Sequence, residues 1–167
     1  VALEAIRESA SKPLSEPFAS IFHEPVLLTA GRLVEAKGQW HLLRVFSVLK
    51  KRYPSLRLVI LGVGPLKDYL VELSRKLGLK TWVWDAGGRG QPKDADVVFT
   101  GFRSNPHVFM SHADLFVFSS VHEGLGSVIL EAMASDTTVV SADCRSGPRE
   151  ILAPDTDPTR QTERPEL

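Results

Sequence analysis

The chain has 167 residues, of which 43% are hydrophobic and 24% are charged, and this composition is typical of one globular domain with a sizeable core. Twenty basic and twenty acidic side chains give a formal net charge of zero, so the overall charge favours neither nucleic acid nor an anionic membrane as a partner. The single cysteine, Cys144, excludes an internal disulfide framework and fits a reducing, cytoplasmic setting.

From Pro25 onward, short apolar runs alternate with helix-length segments, which is the pattern of a parallel sheet covered by helices. The runs are almost continuously apolar, as in strands that are buried on both faces. They predict strands at 25–31, 56–62, 81–85, 96–101, 114–120 and 137–142. The segments between them predict helices at 39–53, 65–78, 105–113, 127–135 and 148–152. Pro65 suits a first helical position and Gly78 a helix end. The predicted fold class is α/β, with an open parallel sheet of about six strands and helices on both faces.

Three further segments are predicted to lie outside this alternation. Residues 1–24 are interpreted as a short helix and a proline-broken linker, and residues 153–167 as a polar, disordered tail. The glycine-rich stretch 86–95 joins two strands with no helix after it, so it is interpreted as a surface loop rather than a phosphate loop. No apolar run approaches the roughly 18–20 residues of a spanning helix, and the amino terminus lacks a signal-peptide core. The chain has the pattern of a domain excised from a longer protein.

Two of the turns that follow predicted strands carry candidate anion-binding groups. In "GRLVEAKG" (31–38), Arg32 and Lys37 flank a turn that leads into a helix, so both cations and the positive helix end can converge on a phosphate. The alternative is that both are solvated surface charges. In "GVGPL" (62–66), Gly62 and Gly64 permit close approach to a ligand or simply form a tight turn. The position of the third glycine in a dinucleotide fingerprint is Lys67, which disfavours a dehydrogenase.

The stretch "SSVHEGLGSVILEAMA" (119–134) places two glutamates around a Gly-Leu-Gly turn where a strand becomes a helix. Ser127 is a candidate N-cap, and Glu131 lies near the first helical turn with its side chain leaning toward the helix start. Glu123 and Glu131 can therefore reach one ligand, and carboxylates are good acceptors for paired sugar hydroxyls. The alternative is that Glu123 is a surface charge and Glu131 complements the helix dipole.

Together these stretches resemble the carboxyl-terminal, nucleotide-sugar-binding domain of family 4 retaining glycosyltransferases, which have the two-domain GT-B fold. The resemblance runs from about Pro25 to Leu152, and its most specific part is the pair Glu123 and Glu131 followed by Ala-Met-Ala. It is carried by "GRLVEAKG", "LVILGVGPLKDYLVELSRKLGL", "VVFTGF", "HADLFVFSSVHEGLGSVILEAMA" and "SGPREIL". It implies a Rossmann-like donor-binding domain at 25–152, between the segments 1–24 and 153–167.

The resemblance implies a role for each matching position. Arg32 and Lys37 match the pair that binds the donor diphosphate and offsets charge on the leaving nucleotide, so both, with Glu123, are implied to be catalytic. Glu123 matches the glutamate that contacts the transferred sugar, and Glu131 the glutamate that binds the ribose hydroxyls. The other implied donor-binding positions are Gly62, Gly64, Phe102, Arg103, Gly124, Leu125, Gly126 and Ser127.

The sequence departs from the family pattern in two ways. "DTTVV" (136–140) replaces a small-residue stretch before the last strand, so the packing at Asp136 is expected to differ. The amino-terminal domain is missing, and with it the acceptor site and a histidine near the sugar, so the chain alone is expected to be inactive. The five histidines are interpreted as structural or surface residues, with His122, beside Glu123, as the first exception to consider. They are His23, His41, His107, His112 and His122.

The implied function is transfer of a sugar from a nucleotide-diphosphate sugar, UDP-sugar ahead of GDP-sugar, to a glycan or lipid-linked acceptor with retention of configuration. No metal or other cofactor and no nucleic acid is expected, although Asp-Thr-Asp at 155–157 fits a metal-binding triplet in the polar tail. The implied setting is polysaccharide biosynthesis in the cytoplasm, with peripheral association of the full-length protein at the inner face of the membrane. The alternatives are a sugar-nucleotide epimerase, a phosphorylase-like enzyme and a non-catalytic nucleotide-sugar-binding module.

Overall fold

A computed structural model describes residues 3–84, 91–144 and 146–157 of the chain. The strands in these ranges are β1 (Val26–Ala30), β2 (Arg57–Leu61), β3 (Thr81–Val83), β4 (Val97–Gly101), β5 (Leu115–Phe118) and β6 (Val139–Ser141). All of them are parallel and form one sheet in the order β3-β4-β2-β1-β5-β6. The two central pairs are in simple register, with Leu28 opposite Val59 on β2 and opposite Phe116 on β5.

The helices are α1 (Leu3–Ala10), α2 (Gln39–Arg52), α3 (Lys67–Lys76), α4 (Pro106–His112), α5 (Ser127–Ala134) and α6 (Pro148–Leu152). Short 3-10 turns occupy Ala19–His23, Glu35–Lys37 and Pro92–Asp94. The six strands and five helices predicted from the sequence are present, and their ends differ from the predicted ones by at most two residues. Within the described ranges, no helix is long and apolar enough to cross a membrane.

Two predictions about residues at helix starts were wrong, one for Pro65 as a first helical residue and one for Ser127 as an N-cap. Pro65 is not a first helical residue: the next amide, of Leu66, donates to the carbonyl of Leu33 at 3.1 Å, and α3 begins only at Lys67. Ser127 is not an N-cap either, because Gly126 takes that position with φ of 70° and makes no side-chain cap. The prediction for Gly78 is confirmed, since it follows α3 with φ of 78°. In the predicted loop 86–95, residues 86–90 lie outside the described residues.

The core has two layers, one on each face of the sheet. Neighbouring strand residues point to opposite faces, so Leu27 packs with the layer under α2 and α3 while Leu28 packs with the layer under α4 and α5. Phe46 of α2 and Ile129 of α5 are both fully buried in their respective layers. The continuously apolar runs of the sequence follow directly from this arrangement, because residues of the central strands face one layer or the other.

The segment before β1 packs on the α4 side of the sheet. Ile6 of α1 is buried, and Ser111 of α4 donates a 2.8 Å hydrogen bond from its hydroxyl to the carbonyl of Ala10. Phe18 and Ile21 are 4% and 1% exposed and belong to the same core layer as Trp82 of β3. Residues 3–23 are therefore continuous with the packing of the rest of the domain.

Candidate functional site

The topology places a crevice beyond the carboxyl ends of β1 and β5. From β1 the chain crosses through α2 to β2 on one side, whereas β5 and β6 lie on the other side of β1. Such a reversal in winding direction is the switch point at which open parallel sheets bind ligands. A cleft of about 610 Å³ lies at this point. Its volume is within the range of small-molecule and cofactor sites.

The cleft gathers most of the residues that the sequence singled out. Ten of the twelve predicted site residues line it, namely Arg32, Lys37, Gly62, Phe102, Arg103, Glu123, Leu125, Gly126, Ser127 and Glu131. The other two, Gly64 and Gly124, are not among its lining residues. These positions come from four separate strand-to-helix connections, and the shared carboxyl edge of the sheet is what brings them together.

At Gly62 and Gly64 the turn after β2 packs directly against the turn after β1, so these glycines do more than permit close approach of a ligand. An ideal Cβ on Gly62 would lie 1.9 Å from the carbonyl oxygen of Gly31, and one on Gly64 would lie 2.4 Å from that of Leu33. The amide of Leu33 also donates to the carbonyl of Val63 at 3.0 Å. The backbone of the turn after β2 therefore fixes the position of the turn after β1, which carries Arg32 and Lys37.

We call Lys37, Ser120 and Glu123 the ion-pair end of the cleft. Lys37 Nζ donates to Glu123 Oε1, and the Ser120 hydroxyl donates to the same oxygen at 2.7 Å. The two charged side chains are only 25% and 11% exposed, and Nζ lies 5.8 Å from the ring centroid of Phe118. A partly desolvated, hydrogen-bonded pair of this kind is held more firmly than a surface salt bridge.

Backbone contacts reinforce the ion-pair end. The hydroxyl of Ser119 donates to the carbonyl of Lys37 at 2.9 Å, and the amide of Val121 donates to the carbonyl of Ala36 at 2.9 Å. The turns after β1 and β5 are thus joined across the switch point.

Burial raises the pKa of the Cys144 thiol, and the negative charge of Glu123 raises it further, so this thiol stays protonated at neutral pH and is a poor nucleophile.

Arg32 differs from Lys37 in being exposed. Across the described ranges its guanidinium makes no hydrogen bond or ion pair, while its own carbonyl accepts a 3.1 Å bond from Nε2 of Gln39. Gln39 is 2% exposed at the start of α2 and was not identified from the sequence. Because the buried Gln39 amide bonds to the backbone of Arg32 and not to its side chain, the guanidinium stays available to an anion.

We call Arg103, His107 and Glu131 the helix end of the cleft, where α4 and α5 face each other. Glu131 lies in the second turn of α5, with a side chain that is 25% exposed. His107, in the first turn of α4, places Nε2 3.4 Å from Glu131 Oε2. His122, in contrast, is exposed and does not line the cleft. Since α4 follows β4, its first turn lies at the same sheet edge, and this placement was the available signal for His107.

Arg103 packs against two aromatic rings that also contact each other, with their centroids 5.2 Å apart. Its guanidinium carbon lies 4.3 Å from the ring centroid of Phe18 and 4.8 Å from that of Trp84, and Nη2 donates to the carbonyl of Thr100 at 2.7 Å. Burial lowers the pKa of Arg103, which nonetheless stays a cation at neutral pH. The neighbouring Phe102 is 73% exposed at the cleft.

Among the residues that the structure describes, no group of three or more His, Cys, Asp or Glu side chains is arranged to hold a metal.

Comparison with known proteins identifies the family. A family model described as glycosyl transferases group 1 matches residues 24–162. The chain belongs to this family. A glycosyltransferase of Methanocaldococcus jannaschii is 38% identical over 154 residues, which cover 92% of this chain and 34% of that protein. The N-acetylgalactosamine-N,N'-diacetylbacillosaminyl-diphospho-undecaprenol 4-alpha-N-acetylgalactosaminyltransferase of Campylobacter jejuni is 36% identical over 129 residues, covering 77% of this chain and 31% of that protein.

The chain thus spans about a third of the length of these two relatives. Among solved structures, the C-terminal domain of the glycosyl transferase group 1 protein LpcC from Francisella tularensis aligns with a TM-score of 0.61 and 26% identity, over 86% of this chain and 73% of that one. Anabaena HepE, in complex with UDP and glucose, aligns with a TM-score of 0.60 and 26% identity, over 90% of this chain and 35% of that one. These matches confirm the predicted carboxyl-terminal, Rossmann-like GT-B domain.

Proposed function

We propose that this chain is the donor-binding half of a retaining glycosyltransferase and that its cleft binds a nucleotide-diphosphate sugar. The observation that carries the proposal is the distribution of charge in the cleft. Two cations, Arg32 and Lys37, line the same cleft as two carboxylates, Glu123 and Glu131, with the start of α5 between them. A diphosphate needs the cations, whereas sugar and ribose hydroxyls need the carboxylates.

Arg32 and Lys37 are proposed to bind the diphosphate and to stabilise the charge that develops on it as it leaves. Arg32 is exposed and, within the described part of the chain, unpaired, so it is free to form charge-assisted hydrogen bonds. The amino end of α5 adds partial positive charge from its unpaired amides. These groups supply the electrostatic stabilisation that metal ions supply in other transferases, so we propose no metal or other cofactor.

Glu123 is proposed to exchange partners when the donor binds. In the free chain it neutralises Lys37. A diphosphate competes for Lys37, and the released Glu123 carboxylate then accepts hydrogen bonds from the transferred sugar and stabilises positive charge at its anomeric carbon. Retention of configuration is carried over from the resemblance to family 4 enzymes.

Glu131 is proposed to accept hydrogen bonds from the ribose, with the segment at Phe102 and Arg103 facing the base. We favour UDP over GDP as the nucleotide because the related Anabaena protein was solved with UDP and glucose. We place acceptor binding in the part of the relatives' length that this chain does not span. A glycan or lipid-linked acceptor is supported by the name of the Campylobacter relative, whose substrate is a diphospho-undecaprenol glycan. The chain alone is then expected to bind donor without transferring sugar, and multiple-turnover transfer by the chain would contradict this.

Calorimetric titration of the 167-residue chain with UDP and with uridine tests the diphosphate assignment. Arg32→Ala and Lys37→Ala should each weaken UDP binding by about 1.5–3 kcal/mol and leave uridine binding almost unchanged. Lys51→Ala, which removes an exposed cation of α2 outside the cleft, is the matched control and should leave both affinities unchanged. Equal losses for UDP and uridine would show that Arg32 and Lys37 act through the fold, and absence of UDP binding would overturn the proposal.

The same titration tests Glu131. Glu131→Gln replaces an ionised acceptor by a neutral amide and should weaken UDP and uridine alike by about 1–3 kcal/mol. Glu123→Gln should instead lower turnover in a protein that also contains the acceptor half, by roughly 10- to 1000-fold, without loss of UDP affinity. If Glu123→Gln weakens nucleotide binding and Glu131→Gln does not, the two assignments are inverted.

A further inference from the structure

The contact between His107 and Glu131 joins the two helices at the helix end of the cleft. His107 Nε2 lies 3.4 Å from Glu131 Oε2, and the side chains are 19% and 25% exposed. Within residues 3–84, 91–144 and 146–157, no other side chain lies within ion-pairing distance of this carboxylate. The contact is made through Oε2, and Glu131 is among the residues that line the cleft.

A glutamate has three rotatable side-chain bonds, and an unrestrained carboxylate loses that freedom when it binds a ligand. A second residue that donates to one oxygen fixes the side chain in advance, so that less affinity is lost to ordering. An imidazole suits this task because an Nε2–H donates to a carboxylate in both the protonated ring and the matching neutral tautomer. His107 is also anchored at the start of α4 beside Pro106, so its own backbone is restrained.

We infer that His107 is a positioning residue that orients Glu131 toward the paired hydroxyls of a ribose, and that it thereby sets the preference of the site for ribonucleotides over deoxyribonucleotides. The inference rests on the proposed function, since it requires that Glu131 meets the ribose. His107 itself does not line the cleft. Its effect on binding therefore passes through the carboxylate.

The selectivity between UDP and 2′-deoxy-UDP separates this role from a structural one. In 2′-deoxy-UDP one of the two hydroxyls is absent, so an oriented carboxylate gains less from it. Loss of orientation should therefore weaken UDP more than 2′-deoxy-UDP. A residue that merely supports the packing of α4 on α5 should weaken both nucleotides equally, because both occupy the same diphosphate and base positions.

The experiment is calorimetric titration of the 167-residue chain and four variants with both nucleotides. In His107→Ala we expect UDP to bind about threefold to tenfold more weakly and 2′-deoxy-UDP to change less than about twofold, so that the selectivity falls. In His107→Gln, whose amide nitrogen can replace Nε2 as a donor, the selectivity should return to within about twofold of the unmodified chain. His112→Ala removes an exposed histidine of the same helix outside the cleft and should change neither affinity.

Glu131→Gln completes the set and separates failure of the inference from failure of the proposed function. If Glu131→Gln lowers the selectivity while His107→Ala leaves it unchanged, or lowers both affinities equally, the positioning role is overturned and the proposed function stands. If neither Glu131→Gln nor Lys37→Ala affects UDP binding, or if UDP does not bind, the proposed function fails and the inference fails with it. A His107→Ala chain that does not fold is replaced by His107→Gln and by His107→Asn, whose shorter amide should not restore the selectivity.

Discussion

At the ion-pair end of the cleft, two turns that are far apart in sequence are joined by backbone and side-chain hydrogen bonds, whereas at the helix end α4 and α5 meet through the side chains of His107 and Glu131. Lys37 and Glu123 already satisfy each other in the free chain. Among the residues that the structure describes, Glu131 Oε1 has no ion-pair partner. Under the proposed function, the ion-pair end therefore exchanges a contact when the donor binds, while the helix end only accepts one.

The ion-pair end of the cleft is held in place more firmly than the helix end. In the turns beside the ion-pair end, ideal Cβ atoms on Gly38 and Gly62 would lie 2.1 Å and 1.9 Å from backbone carbonyl oxygens, and the charges of the ion pair are partly desolvated. At the helix end, the contact between His107 and Glu131 is made by side chains alone. We therefore expect substitutions at the ion-pair end to affect stability and those at the helix end to affect ligand selectivity.

The largest expected effect is that of Gly62→Ala. The added Cβ would meet the Gly31 carbonyl oxygen at 1.9 Å, and the φ of Gly62, 140°, is one that L side chains rarely adopt. We expect the free energy of unfolding to fall by about 3 kcal/mol or more in urea denaturation. Gly124→Ala is the control, since its Cβ would meet nothing within 4 Å, and should cost less than about 0.5 kcal/mol. Similar costs for both would show that the turn after β2 does not fix the cleft.

The next effect concerns the Lys37–Glu123 pair. Lys37→Met leaves a carboxylate that is 11% exposed and that, among the described residues, has only the Ser120 hydroxyl as a hydrogen-bond partner, so we expect a loss of about 1–2 kcal/mol in stability. The double variant with Glu123→Gln should recover part of this loss, and a double-mutant cycle in urea measures the coupling. His107→Ala, at the helix end, should cost less than about 1 kcal/mol. A coupling near zero would mean that the pair contributes no more than a surface salt bridge.

A smaller effect tests whether Glu123 gives up its contact with Lys37 when a diphosphate binds. The proposed competition between Glu123 and a diphosphate for Lys37 predicts that Glu123→Gln strengthens UDP binding by about twofold to fivefold and leaves uridine unchanged, as measured by calorimetry. Glu131→Gln should act in the opposite direction in the same experiment. Weaker UDP binding in Glu123→Gln would mean that Glu123 holds the nucleotide rather than Lys37.

The smallest effect is expected outside both ends of the cleft, at Asp136, where the sequence departs from the small residues of its family. Asp136 follows α5 with φ of 58°, a conformation that glycine adopts more easily than aspartate. Asp136→Gly should therefore raise the free energy of unfolding by about 0.5 kcal/mol in urea denaturation, with UDP affinity unchanged. Destabilisation, or a change in UDP affinity, would show that Asp136 makes a contribution beyond its backbone angle.

The order of strands and helices was predictable because each buried strand is a short run of apolar residues in the sequence, such as the run that contains Leu27 and Leu28. The membership of the cleft was predictable because parallel strands present their carboxyl ends on one edge, and every singled-out turn follows a strand. The packing difference expected at Asp136 stays a prediction, and the structure places this residue at a left-handed φ of 58°.

The partners of the site residues were not predictable. Lys37 and Glu123 are 86 residues apart, and their contact depends on β1 lying next to β5, which is a property of strand order and not of local pattern. Gly64 was interpreted as lining a pocket, but its lack of a side chain serves the neighbouring turn. The sequence predicts a structural or surface role for His107, as for the other histidines. Its contact, Glu131, lies 24 positions away in the chain, and the contact depends on how α4 packs on α5.

The aromatic contacts of Arg103 affect where this domain can be joined to another enzyme in a chimera. The region matched by the family model begins at residue 24, yet Phe18, which precedes it, supplies one of the two aromatic contacts of Arg103 and Trp84 supplies the other. A chimera joined at residue 24 would inherit Arg103 with one of its two aromatic contacts removed. A swap of this domain that keeps the packing of Arg103 should therefore carry residues 3–23 with it.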